Sequence, residues 1–151
     1  MTTPTQTLNA AWQAALGTEY AAVYYYGALG PQLTDAGQIA LARTFEEQHR
    51  ELRDRTAASL VAAGQSPASP QTDYPLPFAL AGSVDAQRLA LATESSCAAA
   101  WRYLVTTAAS GPAPSRLRQT ASDVLTATAI RATRWRSILH PAQPTVPFPG
   151  S

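Results

Sequence analysis

Residues 65–82 read QSPASPQTDYPLPFALAG. Pro67, Pro70, Pro75 and Pro77 all fall in this stretch. Proline removes a backbone donor and clashes inside a helix, so the stretch is not helical. On either side the pattern is the opposite. Upstream, Leu8, Trp12, Leu16, Val23 and Tyr26 form one apolar helical stripe, and Ile39, Ala42, Phe45, Leu52 and Leu60 form a second. Downstream, the stripes are Leu91, Ala98, Trp101 and Val105, then Leu117, Ala121, Val124, Leu125, Thr128, Trp135 and Ile138. These predict helices over residues 5–29, 34–63, 84–109 and 115–139. Gly30-Pro31 ends the first, Thr34 or Asp35 caps the second, and Gly64 stops it. Ser83 is expected to cap the third, and Ser110-Gly111-Pro112-Ala113-Pro114 turns into the fourth. The tail, residues 140–151, carries Pro141, Pro144, Pro147 and Pro149 and is expected to be extended. No strand-like alternation of any length is present. The class is all-α: two helical hairpins with one long connection between them.

Length decides whether that connection can cross the whole molecule. The second helix is about 45 Å long at about 1.5 Å per residue. The connection reaches about 59 Å at about 3.3 Å per residue. It therefore spans the helix with room to spare. One long crossover between two hairpins is the connectivity of a ferritin-like four-helix bundle. Prolines lower the entropy of such segments in the unfolded chain, so crossover and tail are both expected to pack along the surface.

Composition narrows the function. The chain has 151 residues, one domain's worth, with 46% hydrophobic and 14% charged residues. The net charge is +1, and every basic residue is Arg. Neither a basic patch nor an acidic block points to nucleic acid or a membrane surface as partner. Cys97 is the single cysteine, which excludes an internal disulfide and a cysteine-rich zinc site. Residues 1–9 are polar and lack a signal-like apolar run, and no apolar run approaches the roughly 20 residues of a membrane helix. The expected location is the cytoplasm. There is no nucleophile elbow, phosphate loop or catalytic triad. Ala-rich helices and aromatic faces, including Trp12, Trp101 and Trp135, suit a homodimer as well as a monomer.

The informative residues are the ionisable ones on the apolar stripes. Glu19 falls between Leu16 and Val23, Glu94 between Leu91 and Ala98, and Glu46 and His49 follow Ala42. A buried unpaired carboxylate is costly, so a metal, a cation or a shared proton must answer each one. The depths agree. Glu19 lies about 15 Å before the first turn, Glu46 and His49 about 18–22 Å after it, and Glu94 about 22 Å before the second. Glu46-x-x-His49 places a carboxylate beside an imidazole on one helix. Di-iron carboxylate bundles use two such pairs plus one Glu from each of two more helices. Here the fourth helix carries Thr128-x-x-Arg131 instead. Two alternatives follow. Glu19, Glu46, His49 and Glu94 hold at most one metal ion, iron or manganese by ligand type, with zinc also compatible. Or no metal binds, and Arg131 (or Arg134) occupies its place in a buried ion pair. Cys97, three residues after Glu94, reads as a buried apolar thiol. Tyr20, Tyr24, Tyr25 and Tyr26 read as packing groups that also bond the carboxylates. The run from Glu47 to Arg55 alternates in charge and reads as a solvated face.

Several segments together resemble a known family. They are Glu19-Tyr20-Ala21-Ala22-Val23-Tyr24, Tyr74-x-Leu76-Pro77-Phe78, Ala98-x-x-Trp101-Arg102, Ala132-x-Arg134-Trp135-Arg136 and Pro147-Phe148-Pro149-Gly150. Their order is similar to that of a ferritin-like domain family of unknown function from actinobacteria. The resemblance implies a ferritin-like bundle and no particular activity. Members often carry His after the first-helix Glu, where this chain has Tyr20. Three functions are carried forward. The first is a degenerate, non-catalytic ferritin-like module for structure or interaction. The second is a single-metal protein with oxidase chemistry. The third is a bundle that binds a small apolar ligand between its helices.

Overall fold

Thr3 opens the first helix with a reciprocal cap: its hydroxyl accepts from the Gln6 amide, and the Gln6 side chain accepts from the Thr3 N–H. Pro4 at the first helical position costs no hydrogen bond there. In a computed structural model that describes residues 2–150, the helices are α1 (Pro4–Leu29), α2 (Ala36–Ala62), α3 (Ser83–Ser110) and α4 (Ser115–Leu139). A 3-10 turn, Gly30–Gln32, joins the first pair. No strand occurs among the described residues. The chain is an all-helical, four-helix bundle, with the non-helical crossover at 65–82 that its prolines dictate.

Two caps refine the expectation. Asp35, not Thr34, caps α2, accepting from the Gln38 N–H. Gly82, not Ser83, occupies the cap position of α3, with φ of 143°. Ser83 is the first helical residue, and its hydroxyl is used elsewhere. It donates to the Gln32 carbonyl and accepts from the Thr34 N–H, tying the α3 start to the first hairpin turn.

α1 packs on both α2 and α3, and α3 packs on α4. Large side chains fill the space between α2 and α4; Phe45 meets Trp135 edge-on at 6.4 Å between centroids. Two apolar clusters result. One gathers Leu8, Leu52, Trp101, Leu104, Leu117 and Val124. The other gathers Tyr26, Leu29, Phe45, Leu89 and Trp135. On α2, α3 and α4 the boundary between the clusters falls at His49, Glu94 and Arg131. The buried polar residues thus form a belt across the waist of the bundle.

The crossover and tail lack regular backbone partners, and helix side chains supply them. The Gln13 amide donates to the Ser66 carbonyl and accepts from the Ala68 N–H. Further along α1, Tyr25 donates to the Pro75 carbonyl, and Tyr24 and Tyr25 pack on Tyr74. The tail returns over α3 and α4. Arg136 donates to the Pro144 carbonyl, and Gly150 lies against the α3 backbone. A Cβ at position 150 would stand 2.5 Å from the Ala98 carbonyl oxygen, and φ there is +78°. Only glycine suits that position. Gly150→Ala should therefore release the end of the tail, seen as faster amide exchange at residues 146, 148 and 150, while thermal unfolding of the helices changes little. Unchanged tail exchange would contradict this docking.

Candidate functional site

His49 is the centre of the polar belt. The buried stripe of α2 runs Ala42, Phe45, His49, Leu52, Thr56 and Leu60, so His49 points inward like an apolar residue. Its Nδ1 lies 2.6 Å from Glu19 Oε2, and its Nε2 lies 3.0 Å from Glu94 Oε1. All three side chains are fully buried. A neutral imidazole has one donor and one acceptor, and an acceptor nitrogen facing a carboxylate is repelled. With both carboxyls ionised, both nitrogens donate, and His49 is an imidazolium.

Each remaining carboxylate oxygen also has a donor. Trp101 Nε1 donates to Glu19 Oε1 at 2.7 Å. Tyr26 donates to Glu94 Oε1 at 2.6 Å and accepts from Trp135 Nε1 at 2.8 Å. Arg131 Nε donates to Glu94 Oε2 at 3.0 Å. A second Arg131 nitrogen donates to Thr128 Oγ1 at 3.0 Å, which donates in turn to the Val124 carbonyl. Two carboxylates, one imidazolium and one guanidinium sum to zero charge. A buried network this complete satisfies the condition under which buried charge is tolerated.

The pKa directions follow. Burial alone would push His49 down, but the hydrogen bonds it donates to Glu19 and Glu94, with their charges, reverse this and raise it to about 9. Burial would push Glu94 up, yet the hydrogen bond and charge of His49, with Arg131, hold it below the ordinary value. Tyr26 is driven well up by burial and by the charge of Glu94, so it stays a phenol. Cys97 is driven well up by burial and by both carboxylates, so it stays a thiol.

The family described as a domain of unknown function (DUF4439) matches residues 11–151. The chain belongs to this family. It is also similar to the crystal structure of a conserved hypothetical protein, Rv2844, from Mycobacterium tuberculosis. The two are 34% identical, the match covers 87% of this chain and 96% of that one, and the TM-score is 0.80. No curated protein matches.

Against the sequence expectation, this DUF4439 structure brings Glu19, His49, Glu94 and Arg131 together and leaves Glu46 out. Glu46 follows Phe45 by one residue, about 100° round the helix. It lies at the border of the buried stripe, where Arg50, one turn on, pairs with it. Arg134 is exposed and takes no part. Of the tyrosines expected to bond the carboxylates, Tyr26 does so, while Tyr25 bonds the Pro75 carbonyl. Trp101, Thr128 and Trp135, read from sequence as packing residues, are also members of the network. The available signal was chemical: an indole N–H on an inward stripe needs an acceptor.

Three residues of the belt and its border could offer ligands to a metal ion. Glu19, His49 and Cys97 each offer a ligand atom, all within 4.8 Å of one another. Two ligands about 2.0–2.1 Å from a tetrahedral zinc stand about 3.3 Å apart. Glu19 and His49 are 2.6 Å apart, the spacing of a charge-assisted hydrogen bond. The Cys97 thiol points to the Thr18 carbonyl at 3.7 Å. This arrangement does not fit a bound ion.

Two outcomes are expected. A raised folded-state pKa means that His49 contributes stability fully present below its unfolded value of about 6.5. That contribution is lost as pH rises through about 9. Urea midpoints should fall across this window and then level off, and a flat profile would contradict the imidazolium. Arg131→Met should cost about 3–5 kcal/mol, because Glu94 keeps a buried charge with one donor fewer. The double variant with Glu94→Gln should recover part of that loss; a single-variant cost under about 1 kcal/mol would put Arg131 among weak surface-type pairs.

Proposed function

We propose that the chain is a degenerate ferritin-like four-helix bundle, non-catalytic, acting as a structural or interaction module. The observation that carries this reading is His49 donating to two buried carboxylates while Arg131 takes the far side of one of them. In a di-metal carboxylate bundle those carboxylates face cations that are metal ions. Here protein cations fill that electrostatic role, and Thr128-x-x-Arg131 stands where the second Glu-x-x-His belongs. The crossover between the two hairpins supports the ferritin-like connectivity. Among the described residues, no helix is long and apolar enough to cross a membrane.

A second reading rests on a different trio. Glu19, His49 and Cys97 would hold a single metal if His49 gave up a proton and the carboxylate moved back. Metal content separates the two. Protein reconstituted anaerobically with iron, then with manganese and with zinc, should carry far less than one equivalent after gel filtration, measured by plasma mass spectrometry. Near-stoichiometric metal that disappears in Glu19→Ala/His49→Ala would overturn the first reading and make oxygen consumption the next assay.

A further inference from the structure

The two non-helical segments leave the outer side of α2 bare. The crossover lies along α1, held by Gln13 and Tyr25, and the tail lies over α3 and α4, held by Arg136 and Gly150. On α2, Arg43, Glu47, Arg50 and Asp54 are all exposed. Steps of four, three and four residues separate them, so they stand on one stripe of the helix. The same spacing carries the stripe back through Ala40 to Ala36 and on through Ala57 to Val61. Ala36, Ala40 and Val61 are exposed as well.

We propose that this stripe is the contact face of a homodimer, in which α2 of one copy lies antiparallel on α2 of a second. The order of the charges selects that partner and that direction. Along the helix the signs run plus, minus, plus, minus. Reversing the stripe keeps the spacing and exchanges the signs. An antiparallel second copy therefore sets Arg43 against the partner's Asp54 and Glu47 against the partner's Arg50, and the twofold axis repeats both pairs. A parallel copy in register would set like charge on like. At the ends, Ala36 meets the partner's Val61 and Ala40 meets the partner's Ala57. Small side chains there let the two helices approach and leave room for the valine.

Within one copy these charges are incompletely matched. Arg43 forms no ion pair among the described residues. Arg50 serves Glu46 and, at 3.7 Å, Glu47 as well. Asp54 bonds its neighbour Arg53. A second copy gives Arg43 an acid and Glu47 a base of its own. Alternating charge on a helix is ordinarily just solvated. Here the signs reverse about the midpoint of one exposed stripe whose two ends are apolar, and that symmetry points to a second copy of the same chain. Exposed ion pairs are individually weak, so the dimer is a transient one. This inference names the partner of the interaction module proposed above and rests on that reading. Metal content reports on the polar belt and association reports on α2, so either can fail without the other.

The test is sedimentation equilibrium of the full chain at low salt. A reversible monomer–dimer equilibrium is expected, with a dissociation constant on the order of 0.1 mM, the weak end of specific association. Raising the salt about tenfold should weaken it at least about fivefold. Glu47→Arg and Arg50→Glu each set like charges against one another across the twofold axis, and each should weaken self-association at least about tenfold. Their equimolar mixture is the decisive arm. In the mixed dimer every acid again faces a base, and association should return to within about threefold of the native chain. Circular dichroism of each variant alone checks that its helices are intact. A native chain that stays monomeric at about 1 mM, a dimer insensitive to salt, a dimer that Glu47→Arg leaves intact, or a mixture of folded variants that stays monomeric would each overturn the proposal.

Discussion

A buried imidazolium between two buried carboxylates constrains everything around it. The three groups come from three helices, and the fourth helix adds the guanidinium that balances the second carboxylate. Assembly of the bundle and neutralisation of the charges are therefore one event. Networks of this kind contribute little net stability over a well-packed apolar core, but a broken one is expensive. The penalty bears on register. A one-residue rotation of α2 swings His49 by about 100° and removes it from both carboxylates at once.

The aromatic residues are placed to serve that network. Trp101 and Tyr26 each satisfy a carboxylate oxygen, and Trp135 satisfies the Tyr26 oxygen in its turn. Each also belongs to one of the two apolar clusters. The polar belt is thus joined to the cores above and below it by side chains with an apolar body and a single polar atom. Elsewhere the same economy holds the non-helical segments. Gln13 satisfies a carbonyl and an amide of the crossover, which its prolines prevent from forming regular structure.

Much of the fold was legible because it rests on local rules. Prolines at 67, 70, 75 and 77 interrupt any helix, and apolar stripes on both sides mark where helices resume. The cap of α3 was less legible. Ser83 has the right chemistry for a cap, but a tertiary partner, the first hairpin turn, claims its hydroxyl. At the site, Glu19, His49, Glu94 and Arg131 could be read from their place on the stripes. Glu46 could not, because spacing of three residues says that two side chains share a helix face, and not which of them faces inward. The rotation of α2 decides that, and it follows from packing of Phe45 and Leu52 against other helices. Nor does a sequence say which oxygen of a carboxylate meets which donor, and on that pairing the protonation of His49 depends.

The central claim is that His49 carries two protons in the folded chain. Side-chain nitrogen NMR at neutral pH reads this directly, since both ring nitrogens of an imidazolium resonate as protonated, while a neutral ring gives one protonated and one bare nitrogen. The account predicts two protonated nitrogens for His49, with couplings to slowly exchanging protons at Nδ1 and Nε2. A bare nitrogen at either position would contradict it and would reopen His49 as a metal ligand.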